Sequence, residues 1–415
     1  MLSRLQTRQT TSALRGAVRC ASTGLPKDVY ICSAARTPIG SINSSLAAVT
    51  APRLGVIAAQ GAMERAGLKP EHVEEVYFGN VISAGAGQSP ARQVAIGAGC
   101  PVSTEATTIN KVCASGMKAI MMAAQNITLG VRNVMVAGGM ESMSNAPYIL
   151  RKMRAGAGYG HQTAEDLVLA DGLTDAYNNI HMGLCGEDTA EKYNITREQC
   201  DEFAIESYKR SSKAAESGVL AKEIVDVNIP QRKGDDKVVS VDEEFTRINF
   251  DRIPSLRSVF KKDGVITAAN ASTLNDGAAA VVLASEEAVA QHGLTPLAKI
   301  RGFGDAARAP IEFPIAPALA TPIALENAGV SVADISRWEI NEAFAVVVLA
   351  NMKMLNIDAS KVNINGGAVS IGHPIGMSGA RIVGSLVHHL EKGELGCASI
   401  CNGGGAASAI VIEKL

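Results

Sequence analysis

Residues 107–130 read TTINKVCASGMKAIMMAAQNITLG. Three β-branched residues, Thr107, Thr108 and Ile109, lead into an Asn-Lys pair and then an apolar run that ends at Gly130. That pattern predicts a short strand feeding an apolar helix. The same order recurs on both sides. VYICSAARTPIG (29–40) reads as a strand closing in a Pro-Gly turn, and residues 51–66 as an Ala-rich helix stopped by Gly67 and Pro70. VEEVYFGNVI (73–82) predicts another strand, and VRNVMVAGGMES (131–142) a strand ending in a glycine turn. Strands alternating with helices predict an α/β fold with largely buried sheets.

Residues 144–250 differ in character. They are more polar, carry the glycine-rich patch GAGYGHQ (156–162), and contain a charged helix predicted from Thr196 to Gly218, with Thr196 and Gln199 spaced as a capping box. This stretch reads as an insertion or lid. From Val265 the alternation resumes and runs to Leu415. Ala114-Ser115-Gly116-Met117 opens a helix followed by the strand VMVAGG, and Met377-Ser378-Gly379-Ala380 opens one followed by ASICNGGG. A duplicated βα unit explains the recurrence.

The first 24 residues, MLSRLQTRQTTSALRGAVRCASTG, hold four arginines and no acid. That Arg-rich, hydroxyl-rich, acid-poor composition is the signature of a mitochondrial transit peptide. The whole chain of 415 residues has a net charge of −2, and loss of those four arginines would leave −6. With 47% hydrophobic residues the chain is too apolar to be disordered, and its charge excludes a strongly basic nucleic-acid-binding surface overall. No stretch approaches the ~18 consecutive apolar residues of a membrane span. The eight cysteines are scattered, without CxxC or HExxH spacing, so neither a disulfide scaffold nor a zinc site is expected. Nucleotide-binding GxxxxGK[ST] and positioned GxGxxG patterns are absent too.

Glycine is in excess, 40 residues where average usage of ~7% gives about 29. Three glycine-flanked places could hold chemistry. Cys113 stands at the predicted strand-to-helix junction, where the helix dipole and unpaired N–H groups favour a thiolate, although the position equally suits a buried structural cysteine. His373 lies in NINGGAVSIGHPIGMSGARI among five glycines, on a tight loop before a helix. A neutral imidazole facing a cysteine is the usual means of activating a thiol. Cys401, in ASICNGGGAASAIVI, ends a strand before three glycines whose N–H groups can form an anion nest. Asn341, before Glu342 in WEINEAFAVVVLAN, suits either a helix N-cap or the holding of a water or ligand oxygen.

NKVCASGMKA, GGMESMS, HMG, NEAFA, GGAVSIGHPIGMSGAR and CNGGG occur in the order seen in thiolases, so the chain resembles that family from about residue 28 to its end. The resemblance implies two similar βαβαβαββ halves in a five-layered αβαβα sandwich. It divides the chain into a transit peptide (1–24), an N-terminal half (28–143 and 251–292), an inserted loop domain (144–250) and a C-terminal half (293–415). It implies that Cys113 becomes the acyl-thioester, that His373 takes its proton, and that Cys401 moves a proton to and from the substrate. Asn341 would hold a water beside His373 in one oxyanion hole, and the N–H groups of Cys113 and Gly403 would form the other. The implied reaction is the reversible Claisen condensation of two acetyl-CoA to acetoacetyl-CoA and CoA, possible also on 2-methylacetoacetyl-CoA in the thiolysis direction. The alternative is broad-range 3-ketoacyl-CoA thiolysis, with Phe313, Pro314 and Met182 bordering the acyl site, and the remote one a thiolase-like carrier without catalysis. Matching CoA positions are Tyr208, Arg247, Ile248, Asn249, Arg252, Ser272, His181 and Met182, where Ile248-Asn249 replaces the family's commoner Val-Asp. No prosthetic group is implied. Potassium is, at Tyr208, Ala268, Ala269, Ala271 and Val369, as are a mitochondrial-matrix location and a homotetramer that uses the segment after GGMESMS as a contact. No nucleic-acid partner is expected.

Overall fold

The computed structural model describes residues 25–415, so the transit-peptide reading of residues 1–24 lies outside the described residues. The strands of the main sheet are β1 (Val29–Arg36), β2 (Glu75–Gly79), β3 (Glu105–Ile109), β4 (Val134–Ser142), β5 (Asn275–Ser285), β6 (Ala298–Ala307), β7 (Ile335–Ile340), β8 (Leu395–Asn402) and β9 (Ala406–Lys414). Their order is β7-β8-β9-β6-β1-β5-β4-β2-β3, with the two-residue strand Gly40–Ser41 beside β5.

The order is a duplication. In the first half β2 pairs in parallel with β3 and β4, and β4-β5-β1 run antiparallel. In the second half β7 pairs in parallel with β8 and, through a bridge from Trp338, with Val362; β8-β9-β6 run antiparallel. The halves join where β1 meets β6, Tyr30 opposite Lys299 and Ile31 opposite Ala298.

Helices supply three further layers. The helices α1 (Ala51–Ala66) and α2 (Pro90–Gly97) bury Leu54, Ala58 and Val94 against Phe78, Val136 and Val282 on the outer face of the first half. Two helices, α3 (Ser115–Thr128) and α8 (Ile375–His389), fill the centre, packing Met117, Ile120, Ile382 and Leu386 against Met135, Val281, Ile400 and Ile410. The outer face of the second half is covered by α6 (Pro317–Ala328) and α7 (Ala345–Leu355), through Ala320, Ala324 and Val348 against Trp338, Ile340 and Val411. Each fully buried Leu, Ile or Met contributes ~1.5–3 kcal/mol from apolar burial, so the five layers are held by this interleaving. The stretch between β4 and β5 carries α4 (Met182–Tyr193) and α5 (Arg197–Glu216), and the Thr196–Gln199 capping box is formed in both directions.

Two local expectations are corrected. Gly138 and Gly139 do not turn; they lie inside the nine-residue strand β4. A Cβ on Gly139 would stand 2.0 Å from the Gly376 carbonyl, so glycine is there to let the start of α8 approach. The same reason explains the repeated Ser-Gly. A Cβ on Gly116 would meet the Ala380 N–H at 2.9 Å and one on Gly379 the Met117 N–H at 2.6 Å, so the equivalent helices α3 and α8 cross with backbones touching. The second expectation concerns Asn341. It caps no helix, because α7 begins four residues later behind Phe344.

Candidate active site

Cys113 lies two residues before the start of α3, and the strand-to-helix turn strains the chain locally: Val112 has φ +48°, in the left-handed region that a β-branched residue rarely enters. The turn is held by the Ser115 hydroxyl, which donates to the Val112 carbonyl at 2.5 Å and accepts the Lys111 N–H at 2.8 Å. Lys111 in turn bonds Asp305 and, at 2.8 Å, Ser408, both in the second half. The loop that presents Cys113 is thereby tied to the second half.

Gly403, just past the end of β8, brings its N–H to Cys113, and Cys401 lies close enough to feel a charge there. Beside them Asn341, completely buried, approaches His373 with Nδ2 to Nε2 at 3.4 Å. The structure thus gathers Cys113, Gly403 and Cys401 in one group and His373 with Asn341 in another. The carboxamide Oδ1 of Asn341 has no partner among the described residues. A buried orphan acceptor of this kind suits a bound water.

Electrostatics reverse one expectation. Burial pushes the Cys113 thiol up to about 12, outweighing the N–H groups of Gly403 and of Cys113 itself, which favour the thiolate. The helix terminus alone therefore does not ionise it. Cys401 is likewise raised, by burial first and then by Cys113. His373 is pushed down to about 3 by burial and then by the Arg381 charge, so its imidazole is neutral. Its tautomer follows from its neighbours. Ser378 donates its only hydroxyl hydrogen to the Pro374 carbonyl at 3.0 Å and faces His373 Nδ1 at 2.6 Å. Nδ1 therefore carries the hydrogen, and Nε2 offers a lone pair on the Asn341 side. With a high thiol and a low imidazole, proton transfer between them fits only a step in which the sulfur forms a bond at the same time.

Of the remaining sequence-derived positions, Met182 lines the cavity beside Val112 and Gly403. His181 caps α4, its Nδ1 accepting the Gly183 N–H at 3.0 Å, and stacks on Phe260 at 4.5 Å, which meets Phe344 edge-on at 6.2 Å. Ser272 donates to the Ala343 carbonyl at 2.9 Å, at the foot of that aromatic row. Met182 packs with Phe313, Phe344 and Cys401. Arg247 and Arg252 are exposed; Arg247 donates to Ser44 at 2.9 Å, while Ile248 packs inward and the Asn249 carboxamide caps Asp251 N–H at 3.1 Å. Tyr208 is buried and meets Phe250 edge-on at 6.5 Å. Ala269, Ala271 and Val369 are buried and Ala268 exposed. Ser378, Asn275, Phe260 and Phe250 escaped sequence reading.

A cavity of about 370 Å³ opens between Val112, Met182, Gly403, Asp175 and Tyr177, on the Cys113 side. Another, of about 210 Å³, lies between α5 and α7 and borders Glu342, away from the thiols.

The thiolase N-terminal domain pattern matches residues 29–287 and the thiolase C-terminal domain pattern residues 294–414. The chain belongs to the thiolase family. Among thiolases, it is 60% identical over 388 residues to the mitochondrial acetyl-CoA acetyltransferase of Danio rerio, spanning 93% of this chain and 92% of that one. The human protein of the same name is 57% identical over 390 residues, 94% and 91% of the two chains. The crystal structure of Acat5 thiolase from Ascaris suum in complex with coenzyme A superposes with a TM-score of 0.90 at 48% identity, over 94% of this chain and all of that one. Human mitochondrial 3-ketoacyl-CoA thiolase gives 0.91 at 38% identity with the same coverage. The thiolase fold is therefore common to both reactions, and sequence identity separates them.

Proposed function

We propose that the chain is an acetyl-CoA C-acetyltransferase, an acyltransferase that joins two acetyl-CoA into acetoacetyl-CoA and CoA and runs the reverse thiolysis. The observation that carries this is near-full-length identity of 57–60% to acetyl-CoA acetyltransferases of mitochondria, with a half-buried thiol, a buried thiol and a neutral imidazole in the site. In the first half-reaction Cys113 sulfur attacks the thioester carbonyl as its proton passes to His373 Nε2. The acetyl group moves to Cys113, and the departing CoA sulfur takes that proton. In the second, Cys401 gives its proton to His373 Nε2 and, as thiolate, removes a methyl proton from another acetyl-CoA; the carbanion forms a C–C bond to the acetyl carbonyl, and the departing Cys113 sulfur takes the proton back from His373. Each addition places negative charge on oxygen. The Cys113 and Gly403 N–H groups suit one such oxygen, and protonated His373 with a water on Asn341 Oδ1 suits the other.

Coenzyme A is the substrate carrier, and the exposed Arg247 and Arg252 suit its phosphates, with Ile248 and Asn249 beside them. His181, Met182, Tyr208 and Ser272 would flank the rest of its length. Potassium would be held by Tyr208 and the carbonyls of Ala268, Ala269, Ala271 and Val369. The donor set fits a large monovalent cation: a buried phenol, a tight turn of main-chain oxygens, and a Val369 peptide fixed by Glu342 at 3.0 Å. When bound it would brace that turn, next to Ser272. Mitochondrial names of the relatives support a mitochondrial location, and we place it in the matrix, as a homotetramer with the sequence-derived domain division. No described helix is long and apolar enough to cross a membrane.

The test is thiolysis rate against acyl chain length and 2-methyl branching, with and without potassium. Rates highest for four-carbon and 2-methyl four-carbon substrates support the assignment; rates that rise toward long chains would refute it.

A further inference from the structure

The Asn275 carboxamide lies where two parts of the site meet. It stands at the first residue of β5, completely buried. Its Oδ1 accepts the His373 backbone N–H at 2.8 Å and the Thr273 hydroxyl at 2.9 Å. Its Nδ2 donates to Glu244 Oε1 at 2.9 Å and to the Gly40 carbonyl at 3.1 Å. All the hydrogen-bonding capacity of the amide is in use, and the His373 N–H fixes which atom is the oxygen. Gly372, at φ +106°, lies flat on the amide, and a Cβ there would stand 2.6 Å from Asn275 Cγ. The backbone that carries the imidazole is thus keyed to this one side chain.

At its other end Asn275 holds Glu244, the first residue of the short helix Glu244–Arg247. The same segment continues through Asn249 to Arg252. Glu243 anchors it by accepting the Ser41 N–H at 2.7 Å and the Ser44 hydroxyl at 3.0 Å. A path of two hydrogen bonds, Glu244 to Asn275 to His373, therefore runs from the arginine-bearing segment to the catalytic imidazole.

We propose that Asn275 is a positioning residue that couples occupation of the arginine-bearing segment by the nucleotide end of CoA to the setting of His373. This rests on the reading of Arg247 and Arg252 as contacts for that end. Binding energy from an unreactive part of a substrate raises the rate of the chemical step only where it orients a reacting group, and small misplacements of such a group are costly. The nucleotide then raises the saturated rate as well as affinity.

The experiment is single-turnover acetylation of Cys113 by acetyl-CoA and by acetyl-pantetheine, each taken to saturation, in the wild type, E244A and E244Q. Glu244 is partly exposed, so its replacement does not empty the core. In the wild type the saturated rate with acetyl-CoA is expected to exceed that with acetyl-pantetheine by roughly tenfold or more. E244A is expected to bring the acetyl-CoA rate down to the pantetheine rate while changing the latter less than about twofold. E244Q, whose amide oxygen can accept the same hydrogen, is expected to restore the advantage. Equal saturated rates in the wild type, with CoA better only in affinity, would overturn the coupling and leave the CoA site standing. No preference in rate or affinity would overturn both. An equal loss with both substrates in E244A would show a merely structural contact.

Discussion

Replacing Ser378 by alanine tests the histidine geometry without touching a group that meets substrate. The hydroxyl accepts from His373 Nδ1 at 2.6 Å inside a fully enclosed part of α8. Its removal leaves a buried N–H without a partner, a penalty of about 1–3 kcal/mol. The ring can escape that penalty by moving its hydrogen to Nε2, but there it can no longer take the Cys113 proton. Either way the loss falls on the chemical step, and at 1.36 kcal/mol per factor of ten it is a drop of roughly 5- to 150-fold in kcat. Stopped-flow release of CoA on mixing with acetyl-CoA measures it, alongside a thermal melt. The expected result is a slowed first turnover with an unchanged KM and a melting temperature within a few degrees of wild type. A Ser378→Ala enzyme with wild-type kcat would refute the tautomer assignment.

Three further outcomes follow from the same geometry. Cys401→Ala should still be acetylated on Cys113 by acetyl-CoA but make no acetoacetyl-CoA; condensation at the unaltered rate would exclude the two-thiol mechanism. Gly379→Ala forces a methyl onto the Met117 backbone at 2.6 Å, and should lower stability in a urea melt by the ~1–3 kcal/mol of overpacking; an unchanged midpoint would mean that the helices can part. Burial pushes Glu339 up to about 8 despite the Arg381 charge. A carboxyl raised in the fold adds stability that is complete below its ordinary range near 4.5 and is lost as pH rises toward 8. Glu339→Gln should therefore flatten the fall in melting temperature between pH 5 and pH 8, and an unaltered slope would contradict the assignment.

The parts of the site legible in the sequence are those written locally. Cys113, His373 and Cys401 each sit beside glycines that a close approach requires, and their order along the chain marks the family. The capping box at Thr196 is equally local, since both partners lie within one turn. What was not legible depends on pairing across the fold. Asn275 is 98 positions from the His373 N–H it accepts, and no spacing rule connects them. Gly138-Gly139 looked like a turn because a turn and a close backbone approach call for the same residue; only the placement of Gly376 decides between them. The helix-terminus argument for a thiolate at Cys113 failed for a related reason. The N–H groups are there, but the burial that outweighs them is built by residues such as Val81, Leu167 and Ile375, far away in sequence.

Acyl transfer through Cys113 is the centre of the account, and it can be read directly. The protein is mixed with isotopically labelled acetyl-CoA, quenched in acid, digested and mapped by mass spectrometry. The label is expected on the peptide bearing Cys113, to be discharged by added CoA and to be absent from Cys113→Ser. Label on another residue, or acetoacetyl-CoA formed by Cys113→Ser, would contradict it.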